Sequence, residues 1–218
     1  MYNIIELKNI CKKYKVYEGK EVKVFDGLSL DIHEADMFGI YGESGSGKTS
    51  LLNIIGLMDR CYTGEYKICE KEVSEILKDK GVAYYRNMKF GYVDQNYYLI
   101  PKLNVYDNIA LPLMIRRKEK RIINTKVEEI SEKMRIKDIL YKQGDELSGG
   151  QRQRVCLARE LIKEPDIFIA DEPTSALDYK NKDNLLMTLN VINDEGKTII
   201  IATHDENVLK CCNEVFEM

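Results

Sequence analysis

Two periodicities divide the chain. Near the N-terminus apolar and polar residues alternate through Ile5, Leu7 and Ile10, and again through Val22, Val24, Leu28, Leu30 and Ile32. Alternation with period two turns one face of each strand inward, so this stretch predicts an antiparallel β lobe. Residues 64–69, beginning at Gly64, read as a further strand of the same lobe. Residues 37–41 (Met-Phe-Gly-Ile-Tyr) are a continuous apolar run, followed by a glycine-rich turn and a helical pattern at 50–55. From about Asn104 to about Lys142 the spacing becomes helical, rich in charge and poor in glycine, which predicts a helical subdomain. Two more apolar runs, 166–170 and 198–202, have helical patterns between them. Strands covered on both faces of a parallel sheet read this way.

Composition narrows the class. With 218 residues, 44% of them hydrophobic, the chain can bury a full core as one domain or as a domain with a sub-lobe. A net charge of -3 argues against a broad electrostatic footprint for nucleic acid, so no nucleic-acid partner is expected. The first eight residues lack the basic-then-apolar layout of a signal peptide, and no apolar run approaches the roughly 20 residues that span a bilayer. The expectation is a soluble, cytoplasmic chain that meets a membrane only through a partner. Six cysteines at 11, 61, 69, 156, 211 and 212 form no C-x-x-C pair and read as reduced thiols. The basic run 116–121 reads as a solvated helix face, with contact to lipid head groups as the alternative.

The chemistry is concentrated in three places. Gly42-Glu43-Ser44-Gly45-Ser46-Gly47-Lys48-Thr49 fits the phosphate-loop pattern G-x-x-x-x-G-K-[ST] between a strand and a helix. Glycines let backbone N–H groups turn inward around phosphate oxygens, Lys48 would reach the β- and γ-phosphates, and the Thr49 hydroxyl would ligate Mg2+. Asp171-Glu172 ends the run 167–170, where a carboxylate can hold Mg2+ and its neighbour can act as a general base on water. Leu147-Ser148-Gly149-Gly150-Gln151 has Ser148 as an N-cap opening a helix to about Lys163. A second anion-binding helix start makes little sense in a site built from one chain. It makes sense if the site is shared between two subunits.

The set of phosphate loop, L-S-G-G-Q stretch, acidic strand end and Thr203-His204 resembles the ATP-binding subunit of ABC transporters, in order and over nearly the whole chain. The resemblance implies a single domain at 1–218: a P-loop NTPase core with a mostly parallel sheet, an N-terminal antiparallel β lobe and a helical subdomain at about 104–142. It implies a homodimer with ATP in which Ser148 and Gly150, with Gln151 nearby, contact nucleotide held by the partner's loop. It further implies that Gln95 touches Mg2+ and the attacking water, that His204 contacts the γ-phosphate, and that the segment 175–178 crosses the dimer interface. Tyr14 would stack on adenine, with Tyr17 close by in sequence. Thr49-Ser50 replaces the more usual Ser-Thr and keeps a hydroxyl at the metal position. Ala35-Asp36 stands where Gly-Glu is common, so that turn is expected to differ. Residues 56–60, 108–113 and 174–178 are similar to a branch that includes lipoprotein-release, macrolide-export, cell-division and bacteriocin-export ATPases. There an integral-membrane permease is the partner, docking near Gln95 and 96–113 with Tyr97, Tyr98 and Leu99. A non-transport ABC ATPase of DNA repair or translation is the alternative, and a small-molecule P-loop kinase would leave L-S-G-G-Q unexplained.

Overall fold

The alternating N-terminal stretches become two long strands because only pairing can bury one face of each. In the computed structural model, which describes residues 2–15, 21–79, 81–94, 98–175 and 177–218, β1 (Asn3–Lys15) and β2 (Glu21–His33) run antiparallel. Leu7 faces Leu30 and Ile5 faces Ile32, and all four are buried. Gln95, Tyr97, Tyr17 and Ala176 lie outside the described residues.

The remaining strands are β3 (Met37–Tyr41), β4 (Thr63–Ile68), β5 (Lys71–Glu72), β6 (Phe90–Asp94), β7 (Ile167–Asp171), β8 (Thr198–Thr203) and β9 (Glu214–Glu217). The helices are α1 (Lys48–Ile55), α2 (Val73–Asp79), α3 (Val82–Lys89), α4 (Val105–Ile115), α5 (Lys120–Lys133), α6 (Gly149–Leu161), α7 (Tyr179–Asp194) and α8 (Glu206–Leu209). Among the described residues one sheet has the order β2-β1-β4-β5, with antiparallel pairs. The other has the order β6-β7-β8-β3-β9, with every pair parallel.

The parallel sheet divides the interior. Successive side chains of a strand point to opposite faces, and β8 shows the result. Ile199 and Ile201 pack with Val105, Ile109, Val155 and Leu189 of the helices, whereas Ile200 and Ala202 pack with Leu51, Ile54 and the β-lobe residues Ile5 and Leu7. Every residue of β8 is buried. Each fully buried aliphatic side chain contributes about 1.5–3 kcal/mol, so this double-sided burial fixes the strand order tightly.

Two polar devices place the helices. Buried Asn108 on α4 accepts from the Ile100 amide (2.8 Å) and donates to the carbonyls of Ile100, Leu103 and Asn104, pinning the segment before α4 to the helix. Asn104 caps α4 by accepting from the Asp107 amide at 2.7 Å. Helix α6 stops two residues before the expected Lys163, because Glu164 turns left-handed (φ 53°) and Pro165 follows. Among the described residues no helix is long and apolar enough to cross a membrane. All six cysteines are free, and burial pushes the Cys156 thiol up to about 12.

Candidate functional site

The C-terminal ends of β3, β7 and β8 lie side by side, so the loops that follow them share one edge of the sheet. Ligands of open parallel sheets bind at this edge. Residues 42–47 leave β3, and α1 begins at Lys48 with Gly47 as its N-cap at φ 107°. A Cβ at Gly47 would stand 2.7 Å from Val24 Cγ1, so both backbone angle and space demand glycine there. Gly45, at φ 86°, has nothing within 4 Å of where a Cβ would sit, leaving an open cradle above the loop.

Lys48 is buried, and its ammonium donates to the Gly42 and Glu43 carbonyls at 2.7 and 3.0 Å. The same ammonium lies 3.7 Å from Glu172 Oε1. Glu172 follows β7 with its backbone in the left-handed region (φ 44°), fixed there from both sides. Its amide donates to the Ala202 carbonyl at 2.9 Å, and its carbonyl accepts from the Ser175 amide and hydroxyl. Its carboxyl group lies 2.9 Å from His204 Nδ1, within hydrogen-bond reach. Thr203 donates to the other oxygen at 3.4 Å. His204 itself stands beyond β8 with its side chain 66% exposed.

A divalent cation beside the loop needs hard oxygen donors. Thr49 and Asp171, whose side chains carry such oxygens, line the same cleft of about 380 Å³, together with Asn53, Tyr92, Arg159 and Glu160. Ser46 Oγ, in the loop, is buried without a hydrogen-bond partner. These donors fit Mg2+ and a phosphate chain.

Elsewhere in the fold, the L-S-G-G-Q stretch opens α6. Ser148 and Gln151 form a reciprocal capping box, with the Ser148 amide donating to Gln151 Oε1 at 3.0 Å and the Gln151 amide to Ser148 Oγ at 3.4 Å. Ser148 and Gly149 are exposed. A Cβ at Gly150 would meet Asn181 of α7 at 3.2 Å. Among the described residues no hydrogen bond or ion pair joins 148–151 to 42–50. Among the described residues, the chain therefore presents two glycine-rich helix starts with no polar contact between them.

Tyr14 sits near the end of β1, with its hydroxyl 3.4 Å from Ser50 Oγ on α1. The structure thus gathers Lys48, Thr49, Asp171, Glu172 and His204 at one edge and brings Tyr14 to Ser50. Among the described residues no hydrogen bond joins Ser148, Gly149, Gly150 or Gln151 to them. Sequence reasoning named Thr203 only as part of the Thr203-His204 motif, without a role of its own, and gave none to Lys12 or Asp59. For Lys12 the signal was present: it is a lysine at an inward position of the β1 alternation, 2% exposed.

Comparison with known proteins finds similar chains and folds. Residues 25–175 match the family model described as ABC transporter. The chain is 38% identical to an uncharacterized ABC transporter ATP-binding protein, YknY, of Bacillus subtilis, over 97% of this chain and 91% of that one. It is also 38% identical to the macrolide export ATP-binding/permease protein MacB of Mannheimia succiniciproducens, over 99% of this chain but 33% of that one. The dimeric structure of MJ0796, a bacterial ABC transporter cassette, superposes with a TM-score of 0.88 at 34% identity, covering 98% of this chain and 94% of that one. The same cassette in a post-hydrolysis state bound to ADP and Pi is similar at 33% identity.

Proposed function

We infer function from one premise: the chain belongs to the ABC transporter family. On that premise it is an ATP-hydrolysing cassette that works as a homodimer and drives an integral-membrane permease, exporting a peptide, lipoprotein or antimicrobial. Membership sets aside the kinase reading, and relatives named as transporter ATP-binding proteins favour transport over repair or translation. The chain would act at the inner face of the membrane through the permease, which would dock near Gln95 and the adjacent 96–113 segment.

The observation that supports the shared site is that, among the described residues, no hydrogen bond or ion pair joins the two helix starts. The loop at 42–49 would cradle phosphate from one side, while among the described residues no hydrogen bond or ion pair joins the exposed Ser148 cap to that loop. Two copies arranged head to tail would close each loop with the partner's cap. In that site Lys48 would neutralise the phosphates, Thr49, Asp171 and Gln95 would hold Mg2+, and Ser148 with the following amides would close on the γ-phosphate. Mg2+ held there would supply charge neutralisation to the phosphate chain. The Glu172 carboxylate orients and deprotonates water as general base, and His204, 2.9 Å away, holds that carboxylate in place.

Mixing Lys48→Ala with Ser148→Arg tests the sharing. A mixed dimer restores one intact composite site, so hydrolysis should rise above that of either variant alone. Mixed dimers that form and stay inactive would refute it.

A further inference from the structure

We propose that Lys12 and Asp59 are positioning residues that hold the Tyr14 ring as a platform for the purine base. The inference deepens the nucleotide-binding reading above and rests on it.

The turn after α1 creates the arrangement. The helix ends at Gly56, Leu57 enters the left-handed region (φ 58°), and the Met58 and Asp59 amides both donate to the Asn53 carbonyl at 2.8 and 2.9 Å. Asp59 is thereby brought against β1. Its Oδ2 accepts the Lys12 ammonium at 2.6 Å and the Tyr14 hydroxyl at 3.2 Å, and its Oδ1 accepts the Cys61 amide at 2.8 Å. Burial pushes the Asp59 carboxyl up, but the hydrogen bonds from Lys12, the Cys61 amide and Tyr14 outweigh it and hold the group below its ordinary value.

Lys12 also donates to the Cys61 carbonyl at 2.7 Å, and its ammonium lies 4.5 Å from the centroid of the Tyr14 ring. A lysine this deeply buried is tolerated only when paired, and here the pairing has a geometric product. The ring is held by a cation–π contact at its face and by a carboxylate at its hydroxyl. Its hydroxyl also reaches Ser50 Oγ on α1, which ties the ring's position to the helix that begins at the phosphate loop. Tyr14 nevertheless remains 40% exposed, so the ring still has surface for a base. A ring fixed at both ends costs little further ordering when a base stacks on it.

The test separates base from phosphate. Calorimetry would measure the affinity of wild type, Tyr14→Phe, Asp59→Asn and Tyr14→Ala for ATP and for inorganic tripolyphosphate, which has no base. Stacking of a base on an aromatic side chain is worth roughly 5- to 150-fold in affinity. Tyr14→Phe keeps the ring and the Lys12–Asp59 pair but loses the hydroxyl anchor. It and Asp59→Asn should each weaken ATP about five-fold, and tripolyphosphate less than two-fold. Asp59→Glu should recover part of the loss, and kcat at saturating ATP should be unchanged in Asp59→Asn. Unaltered ATP affinity in Tyr14→Phe and Asp59→Asn, with Tyr14→Ala weakened, would overturn the positioning role alone. Parallel loss of tripolyphosphate affinity would overturn it too, by showing a general disturbance of α1. Unaltered ATP affinity in Tyr14→Ala would remove base stacking itself, and this proposal with it. Should Asp59→Asn fail to fold, Tyr14→Phe still decides.

Discussion

Replacing Ala35 by glycine should stabilise the protein. Ala35 has φ 64°, in the region where a Cβ crowds the following carbonyl. The turn cannot relax out of it, because the Ala35 amide donates to Thr198 Oγ1 at 2.9 Å and its carbonyl accepts from Asn193 at 2.8 Å. The next residue is held equally firmly. Asp36 is buried and accepts from the His33 amide and from Asn213, each at 2.8 Å. The methyl group of Ala35 is exposed, so its removal forfeits no core packing. The left-handed conformation costs an L-residue roughly 1–2 kcal/mol. Glycine returns about 0.5–1 kcal/mol of that as unfolded-chain entropy. The net gain is about 0.5–1 kcal/mol, or a rise in Tm of roughly 1–4 °C for a chain of this size. Thermal unfolding followed by circular dichroism, with urea unfolding as a second measure, reads it directly. An unchanged or lowered Tm would refute the strain argument.

Three further outcomes are expected. Glu172→Gln should lower kcat by about 10²–10⁴-fold while ATP binding persists, and gel filtration with ATP should then show a long-lived dimer. A general base at another position would leave turnover near wild type. Gly47→Ala places a Cβ 2.7 Å from Val24 Cγ1 at φ 107°, so ATP affinity should fall at least about ten-fold by calorimetry, equal to about 1.4 kcal/mol. The third concerns pH. The hydrogen bond from Lys182 and the Asn207 amide hold the Asp205 carboxyl below its ordinary range. A depressed folded value means stability that is present above about pH 3.9 and is lost as pH falls through the folded value. Lys182→Met should therefore cost about 0.5–1 kcal/mol at pH 7, and the gap to wild type should narrow below about pH 4. A gap of constant size at pH 3 would mean the lysine acts through packing.

Much of this was legible in the sequence because the decisive signals are local. The alternation in β1 and β2, the doubly covered runs of β7 and β8, and the loop at 42–49 each announce themselves within a dozen residues. The Ala35 departure also carried its meaning, since the unusual residue sits at an unusual backbone angle. The illegible parts depend on distance along the chain or on weak patterns. Lys12 and Asp59 lie 47 positions apart and meet only because Leu57 reverses the chain after α1. Strand β9 is four residues long and only lightly buried, so nothing in its pattern shows that it would join β3 at the sheet edge. Helix α3 buries none of its residues, which leaves no apolar stripe to read.

Ala35 and Glu172 share the same awkward backbone region, yet the two would answer glycine differently. At 35 a sturdier chain would be obtained at no loss. At 172 the same exchange would ease the main chain, held between Ala202 and Ser175, while deleting the carboxylate that faces Lys48 and His204. Sturdiness and reactivity thus pull in opposite directions at that one residue. A screen that rewarded heat resistance alone would be drawn toward an inert protein there.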